Sequence, residues 1–303
     1  MYTRGLSTRD IEQTLIDENG RPLLSRSSMS RLSEELFAEY EEFAGRDLSE
    51  MDVVYLFVDG VYESVRRYSR GQAILCAWAI LSDGTKTIVH LEAAASESEA
   101  SWEAFFENLL SRGMAHPLLV ISDGGSAVIA AIMKNLPQSK RQRCLAHKLR
   151  NLSCKMPIEA RERLLAEIKA IYYAPDKEAA ELIATRFIDT HAEQYPSVVK
   201  CLTDDLDACL VQLSFPLAHR KFIRTTNLLE RAFVEEKRRT KIIPAHVNER
   251  GAIKLVFGSL IRASRSWRRV AMTQLELAQL RTLRMTMSPN QKESETISFR
   301  QAA

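Results

Sequence analysis

Residues 53–58, VVYLFV, set six apolar residues in a row, all but Leu56 β-branched or aromatic. An unbroken run of this kind suits a strand in the middle of a sheet, with both faces covered. It ends on Asp59-Gly60, a carboxylate followed by the most flexible residue. The pattern recurs at residues 117–122, PLLVIS, which lead into Asp123-Gly124-Gly125. Between the two, residues 72–81 (QAILCAWAIL) and 86–93 (KTIVHLEA) read as strands joined by a hairpin turn at Ser82-Asp83-Gly84. The amphipathic segment 96–114 reads as a helix stopping at Gly113, residues 125–137 as another helix, and residues 141–146 as a short fifth strand. Strands that alternate with helices in this order predict an α/β core.

The flanks are helical. Residues 7–42 read as a helix, a break at Gly20-Arg21-Pro22 and a second helix that starts in a Ser-rich stretch. Residues 157–213 read as helices throughout, helices continue to 284, and residues 286–303 have the composition of a disordered tail. No run of eighteen apolar residues occurs, and MYTRGLSTRD lacks the apolar stretch of a secretory signal, so neither a membrane span nor export is expected. Five cysteines without paired CxxC spacing suit a reducing compartment, and the expected location is the cytoplasm.

Net charge is only +3, but it is unevenly spread. Residues 1–50 carry eleven acids and six bases, whereas 140–155 (KRQRCLAHKLRNLSCK) carries six bases and no acid. Residues 219–241 hold eight Lys or Arg against three Glu, and 254–284 hold seven against one. Basic segments of this density point to a polyanion such as nucleic acid, although a single run also fits a solvated helix face.

Asp59 and Asp123 end two core strands, and carboxylates that share a site repel each other unless a divalent cation neutralises them. Hard oxygen ligands with glycines for close approach suit Mg²⁺ better than zinc or copper. Asp-Gly also ends strands as an ordinary turn, and either copy alone reads more readily that way; the two together, in this strand order, favour the shared site. Cys144 and His147 have the spacing of half a zinc site, but no second pair with finger-like spacing follows.

The segments DGVYESVR, ISDGGSAVIAAI, QRCLAHKLRNL and RTTNLLERAFVEEKRRTKIIP resemble, in order and spacing, the motif blocks of the Mutator family of bacterial insertion-sequence transposases, of the DDE class, over about residues 1–285. The resemblance implies a ribonuclease H-like mixed sheet interrupted by an all-helical insertion and preceded by a small segment like a helix-turn-helix. In this numbering the parts are a DNA-binding-like segment 1–50, a first part of the catalytic core 51–156, the insertion 157–213, core-completing helices 214–285 and the tail 286–303. It implies Asp59, Asp123 and Glu230 as the catalytic acids. The residues alone do not separate Glu230 from Glu235 or Glu236 on the same Arg-rich segment. The implied chemistry is cleavage and strand transfer of DNA with two Mg²⁺ ions, replaceable by Mn²⁺.

Implied partners are duplex DNA, as terminal inverted repeats and target, and further copies of the chain in a dimer or higher oligomer; no membrane partner is implied. Candidate DNA contacts are Arg26 and Arg31 on a recognition-like helix that also offers Ser25, Ser27 and Ser28. Others are His147, Lys148, Arg150 and Asn151 in the Cys-x-x-His block, and Asn227, Arg231, Lys237, Arg238, Arg239 and Lys241 beside the third acid. Trp267 is expected to pack in the core rather than stack on a base. Family members carry a further segment ahead of the counterpart of MYTRGLSTRDI, which leaves a second expectation: a shortened DNA-binding product that does not transpose and regulates a full-length transposase.

Overall fold

The computed structural model describes residues 25–63, 72–228, 233–234 and 249–287. The first of the two expected N-terminal helices lies outside these. The second is α1 (Arg26–Gly45), capped by Ser25, whose hydroxyl accepts from the Ser28 N–H at 3.2 Å.

The sheet has five strands: β1 (Val53–Glu63), β2 (Gln72–Leu81), β3 (Lys86–Ala94), β4 (Leu119–Ser122) and β5 (Lys140–Arg143). Helices α2 (Glu99–Ser111) and α3 (Ser126–Asn135) lie in the connections before and after β4. The spatial order is β3-β2-β1-β4-β5, with β1, β2 and β3 antiparallel and β1, β4 and β5 parallel. The sheet is therefore mixed, and β1 is its central strand. The hairpin turn forms where expected: Gly84 sits at φ +81°, its N–H donates to the Leu81 carbonyl, and its carbonyl accepts from Val270.

Two boundaries differ from the sequence reading. β1 does not stop at Asp59-Gly60: the ladder with β2 continues through Asp59↔Cys76, Gly60↔Leu75 and on to Glu63↔Gln72. Asp and Gly are poor strand formers, but the apolar run of β2 supplies partners all along this edge, and tertiary pairing overrides propensity. β5 is shorter than expected, because Cys144 becomes the N-cap of the helix α4 (Leu145–Ser153).

Alternation along β1 divides the core. Tyr55, Phe57 and Val61 join Trp78 and Ile121 in one cluster, completed by Ala252, Val256, Phe257 and Leu260 of α10 (Glu249–Ser264) and by Leu280 of α11 (Gln274–Met287). Leu56 and Val58 join Val120 on the opposite face, under Trp102, Phe105 and Phe106 of α2 and Val128 and Ile132 of α3. Trp267 packs against the first cluster, its ring 5.6 Å from that of Trp78. A third cluster belongs to α4 and to α5 (Ile158–Tyr172), α6 (Lys177–His191), α7 (Pro196–Thr203) and α8 (Leu206–Leu210). Buried amides join it to the sheet: Gln142 donates to the Cys209 carbonyl at 3.1 Å and accepts from the Gln212 N–H at 2.7 Å. A short α9 (Leu217–Ile223) then returns the chain to the sheet. Among the described residues no helix is long and apolar enough to cross a membrane.

Candidate active site

The parallel pairing of β1 with β4 ends at Phe57↔Ile121. Two residues further along each strand stand Asp59 and Asp123. Adjacent strands run about 4.8 Å apart, so this register brings both carboxylates to one end of the sheet. Asp59 alternates with Phe57 and Val61, which puts it on the face of the first core cluster. Each aspartate is fixed by its own backbone. The Gly60 N–H donates to Asp59 Oδ1 at 3.0 Å, and the Gly125 N–H donates to Asp123 Oδ1 at 2.9 Å.

Glu97, which the sequence reading did not single out, belongs to the same end of the sheet. A Cβ built on Gly60 would come within 2.5 Å of its carboxyl carbon and Oε1, so the Glu97 carboxyl lies directly against the Gly60 backbone. Burial and the Asp123 carboxylate both push the Glu97 carboxyl above its ordinary range. Burial, with the charge of Asp59, likewise raises the Cys76 thiol on the neighbouring strand. Negative charge thus accumulates around the ends of β1 and β4. Among the described residues no group of three or more His, Cys, Asp or Glu is placed to hold a metal ion. Glu230, with Glu235 and Glu236, lies outside the described residues, but Leu228 and Phe233 on either side of it pack against the first core cluster, on the face that Asp59 shares.

The Cys-x-x-His block forms the corner between β5 and α4. Cys144 donates its N–H to the Ser122 carbonyl at 2.8 Å, and its Sγ accepts from the Thr226 N–H at 3.3 Å and hydroxyl at 3.5 Å. The Leu145 N–H donates to the Arg224 carbonyl at 2.8 Å. Residues 224–226, which lead towards Glu230, are therefore fastened to the strand next to Asp123. Burial alone would raise the Cys144 thiol, but hydrogen bonds from His147 and Thr226 outweigh it and hold the thiol below its ordinary value.

The basic residues divide by burial. Lys148 is 3% exposed and its ammonium is paired with Asp205, in the helical part, so it faces inward and not towards a phosphate backbone. Arg143, 6% exposed, approaches the other oxygen of Asp205 at 3.4 Å and was not singled out by the sequence reading. Arg150 and Asn151 are exposed on α4, while His147 and Asn227 are half-buried. On α1, Arg31 is exposed and donates to Ser28 Oγ at 3.4 Å, and Arg26 opens the helix. The rest of its outer surface is acidic: Glu35, Glu39 and Glu42 are exposed, and Glu34 pairs with Arg250 at 2.6 Å and Lys254 at 2.7 Å. Only the first turns of α1 offer positive charge. Arg231, Lys237, Arg238, Arg239 and Lys241 lie outside the described residues.

Residues 1–270 match the family described as Transposase, Mutator family. Over 89% of its length the chain is 33% identical to the transposase for insertion sequence element IS6120 of Mycolicibacterium smegmatis, covering 84% of that protein. It is 30% identical to the transposase for ISRM5 of Rhizobium meliloti, over 88% of this chain and 67% of the relative. With the transposase for IS256 in transposon Tn4001 of Staphylococcus aureus it shares 31% identity over 88% of this chain and 69% of the relative.

Proposed function

The chain belongs to the Mutator family of transposases, and from that premise we propose that it cleaves and rejoins the DNA of an insertion sequence at a DDE site of Asp59, Asp123 and Glu230 on a ribonuclease H-like core. The observation that carries this reading is the register of β1 and β4, which sets Asp59 and Asp123 level at one end of a sheet ordered β3-β2-β1-β4-β5.

The donor set suits hard divalent cations. Both aspartates offer carboxylate oxygens fixed by backbone N–H groups, and the Glu97 carboxyl, raised by burial and by the charge of Asp123, adds a third carboxyl to the same end of the sheet. Asp59, Asp123 and Glu230 would hold two Mg²⁺ ions, or Mn²⁺ in their place, and that pair would supply the acidification of an attacking water or 3′-hydroxyl and the neutralisation of the leaving oxygen. The Gly60 and Gly125 N–H groups hold the two aspartate oxygens in place before any ligand arrives, and the Cys144–Thr226 contacts fix residue 226, four positions ahead of Glu230. Duplex DNA is the substrate, and His147, Arg150, Asn151 and Asn227 are the described candidates at this corner for contacts with its backbone. Assembly as a dimer or higher oligomer on the element ends belongs to the same proposal.

The test compares Asp59→Asn, Asp123→Asn and Glu230→Gln with Glu235→Gln and Glu236→Gln. The first three should bind DNA like the wild type and lose Mg²⁺- or Mn²⁺-dependent nicking, and the last two should keep it. Nicking that survives Asp59→Asn or Asp123→Asn would overturn the assignment.

A further inference from the structure

The turn after Asp123 carries polar groups that the three acids leave unused. A Cβ built on Gly124 would fall 1.3 Å from Arg143 Nη1 and 2.2 Å from its Cζ, so the guanidinium lies against the glycine backbone, which itself sits at φ +82°. Arg143 is 6% exposed, and while its Nε faces Asp205 at 3.4 Å, its Nη1 has no hydrogen-bond acceptor among the described residues. Ser122, opposite Arg143 in the β4–β5 ladder, is also buried with its hydroxyl unsatisfied. Orphaned buried donors are costly, and a cluster of them beside a candidate active site points to a missing acceptor.

Immediately after Gly124, α3 begins. Gly125 is its N-cap and supplies no side-chain acceptor, and no acid occupies the first turn. Gly125 and Ser126 are exposed, so this turn is open to a ligand. The N-terminus of a helix presents free N–H groups and the positive end of the macrodipole, both suited to an anion. Behind the turn, Arg143 and Lys148 share the one carboxylate of Asp205, with Arg141 also in its field. Asp123 and Glu97 put negative charge nearby, so an anion seated here has to be held by directed donors, and the helix terminus and Arg143 provide them.

We propose that the Gly124–Gly125 turn, the N-terminus of α3 and Arg143 form a subsite for a phosphate of the DNA backbone beside the reacting one. The phosphate chemistry follows from the donors; the DNA as its source rests on the function proposed above. Gly124 then has two roles: it turns the chain after Asp123, and it lets the guanidinium reach the turn.

Three forms of the full chain decide the matter: wild type, Ser126→Asp and Arg143→Gln. Ser126→Asp places a carboxylate where the phosphate would sit; because an acid in the first turn favours the helix, its melting temperature should hold or rise. Affinity for duplex DNA, read by fluorescence anisotropy, should nevertheless fall about tenfold, as expected for one charge-assisted contact. The slope of log affinity against log salt should flatten by about 0.9. Arg143→Gln should act in the same direction, and Ser126→Asp stands alone if Arg143→Gln fails to fold. Inorganic phosphate should move the backbone amide resonances of residues 125–128 in the wild type and leave them unmoved in Ser126→Asp. DNA binding with unchanged affinity and slope in Ser126→Asp refutes the subsite. Phosphate-sensitive amides in a chain that binds no DNA would instead overturn the DNA reading and leave the anion site standing.

Discussion

Asp205 offers a quantitative test of how the helical part is held to the sheet. One of its carboxylate oxygens meets the Lys148 ammonium and the other faces Arg143 Nε, and the side chains of Lys148 and Arg143 are 4% and 7% exposed. Asp205→Asn keeps shape and removes the charge, which leaves two buried cations without a counter-ion. Breaking a buried ion pair by removing one partner costs about 3–5 kcal/mol. Because Asp205 itself is 21% exposed, water can partly replace the carboxylate, and the low end of that range applies. At about 2–4 °C per kcal/mol, a loss of about 3 kcal/mol lowers the melting temperature by roughly 6–12 °C. Differential scanning calorimetry reads this directly, and urea midpoints give the free energy. Adding Lys148→Met to Asp205→Asn should recover part of the loss, because it removes one of the orphaned charges. A shift below about 2 °C, on the same scale, would show that these cations are solvated after all. Lys148→Met that deepens the loss would show that packing, not charge, sets the cost.

The Cys144 thiol is an acceptor for a buried N–H, so Cys144→Ala should cost about 1–3 kcal/mol in the urea midpoint, and Cys144→Ser, which keeps an acceptor, clearly less. Equal losses would reduce the sulfur to a packing group. Burial, opposed in part by Glu92, holds the His90 imidazole below its ordinary pKa. The folded chain therefore binds fewer protons than the unfolded chain near pH 6, and stability should fall as pH drops below about 6.5 towards the folded value. His90→Gln should flatten the urea midpoint between pH 5 and 7; an unchanged pH dependence would assign the loss to another group.

The apolar runs made the centre of the sheet legible, because six consecutive apolar residues at 53–58 and nine at 73–81 leave few alternatives to central strands. Ser82-Asp83-Gly84 gave the hairpin turn through the positive φ that glycine allows. The continuation of β1 through Asp59 was hidden, since it depends on the length of β2 and not on the propensity of Asp or Gly. Glu97 sits in the polar stretch SESEAS, with no period or motif to mark it, and only the packing of Gly60 reveals its position. The inward turn of Lys148 was equally unreadable: its partner Asp205 lies 57 residues further on, and a basic helix looks solvated until that partner is known. Glu230 was reached through the family's motif, and its neighbours Leu228 and Phe233 are the described residues that bear on its placement.

The contact of Thr226 with Cys144 spans 82 residues, and nearly all of the chain between them belongs to the helical cluster. Closing a flexible loop of that length costs on the order of 4 kcal/mol in chain entropy. Once α4 to α8 have collapsed on their own short-range contacts, their two ends emerge side by side and most of that cost has already been met. The helical cluster then acts in folding as a rigid bracket that presents the late segment to β5, and it is expected to form before that segment docks. Insertions in its outer loops would leave the docking geometry intact, whereas changes that part its two ends would delay the docking of residues 224–226 without touching any strand.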